Sequence, residues 1–519
     1  MPIFACYDAT GIQRYIFASN KLSENVGASL LVRNVLRVYL PAAIQKTLGA
    51  NNVITDWKER LILPLDLSKR AEIIYEGGGN AYVAFADYNS YEATTKCFLR
   101  DIYDKTAGIG IAAAYVETDM ANDYAAKFAQ LQNKFAEKKS KINRPVPAGN
   151  QPITRASRLT GLPVTRIKKY NGEYEMLSED QFCKREARDN NKDGEQDEPL
   201  QDFNSLERGN SYLALIHADG NNMGKTITPY CSENNWEAAI PQIRTMSRRI
   251  TELYGAAYSN TKNKFENYYQ SSKYFKDNNK LPIIDIINDG DDITCVLAGQ
   301  FGLSFAAELL REIERIGGDA DYNPFPENNI QAKITACAGV AIFHSHFPFS
   351  SAYNMAEECC GNAKKFMREI NKQGSFIDFH LHQSGMITTM KAFRNQQYTT
   401  ESGILLHRPW CVSAGDEYNQ YPSFNVFEKL QAKWVNDDRQ SKMWPRSRLI
   451  SFRNALGKSD SEAEEILRQC ASRGYLLPEW PKSYDIKKSK YSALFDVLEL
   501  SDVYENICGK EAVANVHNN

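Results

Sequence analysis

The chain has 519 residues, 43% of them hydrophobic and 24% charged, with 62 Lys and Arg against 64 Asp and Glu for a formal net charge of −2. That length predicts about three or four globular units at ~100–200 residues each, every one large enough to bury a core without staples. Near-neutrality excludes a uniformly basic nucleic-acid domain and leaves only local basic patches. The supply of apolar and aromatic side chains excludes an acidic disordered chain.

The first residues, Met1 to Cys6, carry no charged segment, long apolar stretch or small-residue cleavage site, so no signal peptide is expected. No run of about 18 apolar residues exists to enter a bilayer, so no membrane partner is expected either. The 11 cysteines are odd in number, scattered and without a CxxC pair. A reducing cytoplasm is the expected home, and no zinc element is expected.

Residues 3–8 (IFACYD) read as a buried strand ending in Asp8, followed by the turn-like Ala9-Thr10-Gly11. Ala28, Leu31, Val32, Val35, Leu36, Tyr39 and Leu40 repeat at helical spacing. Ile73–Glu76 and Ala81–Phe85 flank Gly77-Gly78-Gly79-Asn80, a hairpin signal. A strand over Ile109–Val116 and an alanine-rich helix over 122–139, ending in Lys138-Lys139, complete the unit.

The same order then recurs. Residues 211–219 (SYLALIHAD) end in Asp219 and lead into Gly220-Asn221-Asn222-Met223-Gly224-Lys225. A helix is predicted over 235–270, strands over 283–287 and 293–297 around Asp289-Gly290-Asp291-Asp292, a strand over Ile334–Phe343 and a helix over 351–368 bearing Lys364-Lys365. The fold class is therefore α+β: two ferredoxin-like βαββαβ units, each an antiparallel sheet with helices on one face. The predicted boundaries are 1–145, a polar connector over 146–210, 211–385, and an α-helical segment over 386–519. The run Arg185–Pro199 is expected to be a solvated loop. Ser459 is expected to cap a helix over Ala463–Cys470.

The chemical candidates are Asp219, Asp291 and Asp292. If their strands are neighbours, all three carboxylates emerge at one sheet edge, where a divalent cation relieves their repulsion. Two-metal nucleotidyl transfer needs such an arrangement. The loop from Gly220 through Asn221, Asn222 and Gly224 to Lys225 offers backbone N–H groups to phosphate, and Lys364 or Lys365 offers point charges. Alone, the tetrapeptide over 289–292 also reads as an ordinary hairpin turn. Asp8 serves equally well as a turn residue or a ligand. His344/His346 and His380/His382 read as surface or hydrogen-bonded histidines. The basic groups Arg155/Arg158, Arg166/Lys168/Lys169, Arg446/Arg448 and Lys487/Lys488/Lys490 read as solvated faces open to RNA contact.

Asp8 to Phe17 (DATGIQRYIF), residues 19–29 (SNKLSENVGAS) and Gly77–Asn80 resemble the first palm domain of the large polymerase subunit of type III CRISPR effector complexes. Ala218–Lys225, Asp289–Asp292, Ala336–Ala341, Phe347-Pro348-Phe349 and Ala356–Lys365 resemble its second, active palm. The resemblance implies an enzyme that condenses ATP into cyclic oligoadenylates in antiviral defence, with Mg²⁺ or Mn²⁺ as cofactor, RNA-activated and partnered by guide or target RNA and other effector subunits. It implies Asp219, Asp291 and Asp292 as catalytic and metal carboxylates, with Gly220 beside the metal. Asn221, Asn222, Gly224, Lys225, Asp289, Gly290, Lys364 and Lys365 would meet nucleotide, and Gly77, Gly78, Gly79 and Asn80 would line a second, catalytically silent site. The family motif GGDD is here DGDD, and Asp289 is expected to tolerate a left-handed backbone. No His-Asp dipeptide or cysteine-rich element accompanies the palms, so DNA cleavage by an HD nuclease is not expected. The alternatives are a structural RNA-binding subunit with a vestigial palm, or a stand-alone cyclase making another cyclic or linear nucleotide.

Overall fold

The computed structural model describes residues 1–141, 153–170, 172–190, 203–224, 231–319, 322–323, 333–383, 389–415, 418, 421, 423–434, 444–475, 480, 485 and 487–508. The first unit begins with β1 (Ile3–Thr10) and α1 (Leu22–Asn34), which passes through a π-helical turn over Val35–Tyr39 into α2 (Leu40–Leu48). β2 (Ala71–Gly77), β3 (Asn80–Phe85), α3 (Tyr88–Thr106), β4 (Gly110–Glu117) and α4 (Tyr124–Lys141) follow. The sheet order is β2-β3-β1-β4, all antiparallel, with the short strand Val53–Ile54 added parallel at the β2 edge.

After the connector come β7 (Tyr212–Gly220), α6 (Trp236–Ser271), β8 (Ile283–Asp289), β9 (Asp292–Ala298), α7 (Gly299–Gly317), β10 (Ala336–His344) and α8 (Phe349–Glu369). Its core strands run β8-β9-β7-β10, the topology of the first unit. β11 (Phe376–Leu381) adds parallel to β10, and β12 (Trp410–Cys411) closes the edge. β12 crosses the boundary expected at residue 385. Phe424, Phe427, Leu430, Phe452, Leu494 and Leu498 of the C-terminal helices also share one core with β7, β9 and α6. Ser459 caps its helix by accepting from the Glu462 amide. The C-terminal segment thus completes the second unit's core.

Helices cover both faces of each sheet, where the sequence predicts one. Both alternating sets on β1 are apolar. Ile3, Ala5 and Tyr7 pack under α1 to α3, while Phe4 and Cys6 face α4 and the start of α6. In β7, Ala214, Ile216 and Ala218 face α6 and α7, and Leu213 and Leu215 face α8. A strand that is apolar on both sides must be covered on both sides.

The connector holds a hairpin of β5 (Arg166–Tyr170) and β6 (Glu173–Leu177), then α5 (Glu179–Asn190). The loop expected from Arg185 is helical as far as Asn190, and 191–199 lies outside the described residues. The reason is tertiary. Arg185 donates to the buried Glu24 at 2.7 and 2.9 Å, Gln181 donates to Glu24 at 2.9 Å, and Lys184 reaches the Tyr15 carbonyl at 3.0 Å. These polar residues bury because α1 supplies partners. No helix among the described residues is long and apolar enough to cross a membrane.

Candidate nucleotide and metal site

β7 and β9 pair so that Asp219 stands directly opposite Asp292, and the turn between β8 and β9 places Asp291 beside them. Asp219 falls in the same alternating set as Leu213, Leu215 and His217, so it emerges on the face covered by α8. From α8, Lys364 Nζ lies 2.5 Å from Asp219 Oδ2 and donates to the Gly220 carbonyl at 3.0 Å. Lys365 points elsewhere on the helix and pairs with Glu369 at 3.6 Å. The structure therefore brings Lys364, not Lys365, to the carboxylates.

Burial, then the charges of Asp219 and Asp292, push the Asp291 carboxyl up to about 7. His217 Nδ1 sits 3.4 Å from Asp292 Oδ1 and 3.2 Å from Thr294 Oγ1. Burial opposes its charge, but Asp292, Asp219 and Glu357 hold the imidazole above its ordinary value. Tyr353 packs edge-on against His217 and stacks on Phe17 at 3.9 Å. The sequence signal for both was available: His217 is two residues before Asp219 on a strand, and Tyr353 is three helical turns before Lys364.

Gly220 is required by close approach, since a Cβ there would stand 2.5 Å from the Tyr254 hydroxyl and 3.0 Å from Asp291 Cβ. Asn221 is buried, donating from Nδ2 to Thr335 Oγ1 and to the Gly374 carbonyl, both at 3.0 Å. It straps the loop to the sheet instead of presenting its amide nitrogen to a ligand. Asn222 takes a left-handed backbone (φ 57°) and Gly224 follows it, while Lys225 lies outside the described residues.

Asp289 ends β8 in regular pairing with Asp292, and the left-handed residue of the turn is Gly290 (φ 63°). The sequence expectation of a left-handed Asp289 is thus corrected. Its carboxylate instead receives Arg37 Nη2 at 2.6 Å. Gly77, Gly78, Gly79 and Asn80 form the matching turn of the first unit, with Gly78 and Gly79 left-handed. Asn80 lies opposite Asp8 as Asp292 lies opposite Asp219, and Lys139 meets Asp8 at 2.7 Å as Lys364 meets Asp219. The two turns approach each other, with an ideal Cβ on Gly290 falling 3.8 Å from Gly78. A small open cleft lies beside them, with Ile12, Val32 and Leu36 on its apolar side and Arg33, Arg37, Glu76 and Asp289 on its polar side.

A divalent cation suits these donors. Apart from His217, the buried Asp292 Oδ1 has no hydrogen-bond partner, and Asp291 is electrostatically strained by its neighbours. Among the described residues no group of three or more His, Cys, Asp and Glu side chains closes a metal cage. Mg²⁺ asks for less: one or two carboxylates, with waters and substrate phosphates.

The other candidates fall away from this site. His344 Nδ1 meets Ser211 Oγ at 3.0 Å, as a hydrogen-bonded histidine should. His380 is fully buried with both ring nitrogens unpartnered, and burial holds it neutral, against the surface role expected. Arg166 pairs with Glu179 at 3.1 Å, Lys168 with Glu186, Arg446 with Asp502 at 2.7 Å and Lys490 with Glu464 at 2.7 Å. All 11 cysteines are free.

Residues 212–372 match the family model of the Cas10/Cmr2 second palm domain. The Cas10/Csm1 single-strand-specific deoxyribonuclease of the subtype III-A CRISPR system of Methanocaldococcus jannaschii is 24% identical over 320 residues, covering 54% of this chain. The match spans 38% of that relative's length. Among solved structures, the Csm1–Csm4 subcomplex of the type III-A CRISPR–Csm interference complex aligns over 96% of this chain and 69% of its own, with a TM-score of 0.51 at 12% identity. A Csm1–Csm4 cassette with AMPPNP aligns over 98% and 69%, with a TM-score of 0.50 at 14% identity. Another with one ATP aligns over 98% and 70%, with a TM-score of 0.50 at 13% identity. With carboxylates paired across a repeated βαββαβ sheet, residues 212–372 match the Cas10/Cmr2 second palm domain, and the chain is similar in sequence to a Cas10/Csm1 protein of the type III-A CRISPR system and in fold to Csm1 structures.

Proposed function

We propose that the chain is a metal-dependent nucleotidyltransferase that condenses ATP into cyclic oligoadenylate-type messengers, activated by RNA and working with other type III effector subunits. The observation that carries this reading is the cross-strand pair Asp219–Asp292 with Asp291 in the adjoining turn, on the palm that matches the family. The similar structures holding AMPPNP or one ATP on a Csm1–Csm4 cassette support ATP as substrate and a Csm4-type subunit as neighbour. Bound Mg²⁺ or Mn²⁺ would supply Lewis-acid polarisation of the triphosphate and of the attacking 3′-hydroxyl.

The chain's own groups do the rest. Asp219, Asp291 and Asp292 offer the oxygen donors. Lys364, now on Asp219, is the cation placed to meet a triphosphate, and His217 holds Asp292 in place. Two nucleotides held between facing turns need not find each other by diffusion, which removes much of the entropy cost of joining them.

The test is purified protein with ATP and Mg²⁺ or Mn²⁺, with and without RNA, its products read by mass spectrometry. We expect linked or cyclic adenylates, lost in a folded Asp291→Ala/Asp292→Ala variant. Lys364 seated on Asp219 favours a second reading, a structural subunit whose palm is vestigial; it predicts salt-sensitive RNA binding and no product under any condition. Product without RNA or partners would point to a stand-alone cyclase.

A further inference from the structure

Asp289 stands where the first palm has Gly77, and the structure gives it a partner from the other palm. Arg37, in the π-helical turn that follows α1, donates through Nη2 to Asp289 Oδ1 at 2.6 Å and through Nε to Glu76 Oε2 at 3.2 Å. Glu76 is the penultimate residue of β2, so one guanidinium ties the end of the first hairpin to the end of the second. Further along the same helix, Ser29 Oγ donates to the Ile286 carbonyl of β8. Two of these contacts, Arg37 with Asp289 and Ser29 with Ile286, join the first unit to the strand that leads into the turn over 289–292, while Arg37 with Glu76 anchors the guanidinium to the first hairpin.

We infer that Arg37 and Asp289 are positioning residues which lock the two turns together and so fix the spacing between two nucleotides held there. This rests on the proposed nucleotidyltransferase reading. Three features of the lock matter. It crosses from one palm to the other, so its loss leaves each sheet intact. Asp289 projects a carboxylate from a strand-end backbone that glycine also accepts, so Asp289→Gly removes the lock without backbone strain. The guanidinium grips two carboxylates through separate nitrogens, which fixes direction as well as distance.

A group that sets spacing acts on the joining step more than on capture of one nucleotide. With ATP as substrate, Arg37→Ala and Asp289→Gly should each lower kcat about tenfold, the scale of one charge-assisted contact, with KM for ATP changed less than twofold. The double variant should be no slower than either single one, because both remove one interaction. Arg37→Lys, which keeps the charge but loses the fork, should recover part of the loss. Hydrogen exchange on the ligand-free full chain gives a second readout: amides over 286–292 and 77–80 should exchange faster together in Arg37→Ala, with β1 and β10 unchanged. A rise in KM at constant kcat, additive losses in the double variant, or unchanged exchange in both turns would overturn the lock. If no adenylate product forms with any activator, the nucleotidyltransferase reading fails. Coupled exchange would then still report whether Arg37 joins the turns.

Discussion

Asp291→Asn separates the electrostatic cost of the site from its use. Between the ordinary carboxylate value of 3.8 and its raised value of about 7, folded Asp291 keeps a proton that the unfolded chain has released. The folded state binds more protons in that window, so stability falls as pH rises through it, and the full penalty stands above about pH 7. About three units at 1.36 kcal/mol each gives an upper bound of about 4 kcal/mol. Asp291 is only half-buried, and water and counter-ions reduce this to about 1–2 kcal/mol. Asparagine keeps the shape and carries no charge. In chelator at pH 8, the Asp291→Asn protein should therefore melt about 1–2 °C above the unmodified chain, given about 1.1 kcal/mol/K of unfolding entropy for a chain of this length. At pH 4, where the native carboxyl is protonated too, the two should coincide. Millimolar Mg²⁺ at pH 8 should narrow or reverse the gap, because only the carboxylate gains from the cation. A variant no more stable than the parent at pH 8, or a gap that persists at pH 4, would refute the claim that Asp219, Asp291 and Asp292 strain one another.

Three further substitutions test other parts of the structure. Arg185→Ala leaves Glu24 buried without its guanidinium partner and should cost about 3 kcal/mol in urea unfolding, near the low end for a broken buried pair because Gln181 and Ser19 still donate to it; Glu24→Gln in the same chain should recover part of that loss. Gly339→Ala would place a Cβ 1.9 Å from the Ala356 carbonyl oxygen and 2.4 Å from the Cys360 nitrogen, forcing α8 off β10 and destabilising the fold by about 3 kcal/mol of overpacking, read in urea unfolding. Lys364→Met removes the cation that faces Asp219, and KM for ATP in the adenylate assay should rise about tenfold, as for one lost charge-assisted contact, whereas Lys365→Met should leave it unchanged.

The repeated units were legible because their strands alternate and their helices repeat at 3.6, and the hairpins at 77–80 and 289–292 carry glycines where the backbone turns left-handed. Asp219, Asp291 and Asp292 were legible because Asp219 sits near the end of an apolar strand, Asp292 opens the next and Asp291 lies in the turn before it. Helix α5 was not. Its sequence is polar, and it forms because Glu24 and the Tyr15 carbonyl, more than 150 residues away, satisfy Arg185 and Lys184. Arg244 is the same kind of case. It is fully buried on α6, where it donates to Glu72 at 2.8 Å and to the Ile74 carbonyl at 2.8 Å, fastening the second palm to the first. Local pattern marks such residues as surface, and only the partner's position reverses that reading. The choice between Lys364 and Lys365 needed the phase of α8 against β7, which composition does not carry.

The two palms differ by less than their sequences imply. Each carries an aspartate near the end of its central strand, and each brings a lysine from the helix after the fourth strand to meet it, at 2.7 Å for Asp8–Lys139 and 2.5 Å for Asp219–Lys364. Each then turns through a left-handed glycine. The turns differ at three positions: Gly77, Gly79 and Asn80 in one copy, Asp289, Asp291 and Asp292 in the other. In the first palm the lone aspartate is balanced by its lysine. In the second, Asp291 and Asp292 join Asp219 around Lys364 and His217, and burial with this crowding holds a proton on Asp291 up to about pH 7. That crowding is an electrostatic cost, which a bound divalent ion would relieve. The first turn, with Gly79 and Asn80 beside Asp8, has no such repulsion to relieve. The two copies therefore differ in charge balance at their turns, on sheets that share one strand order.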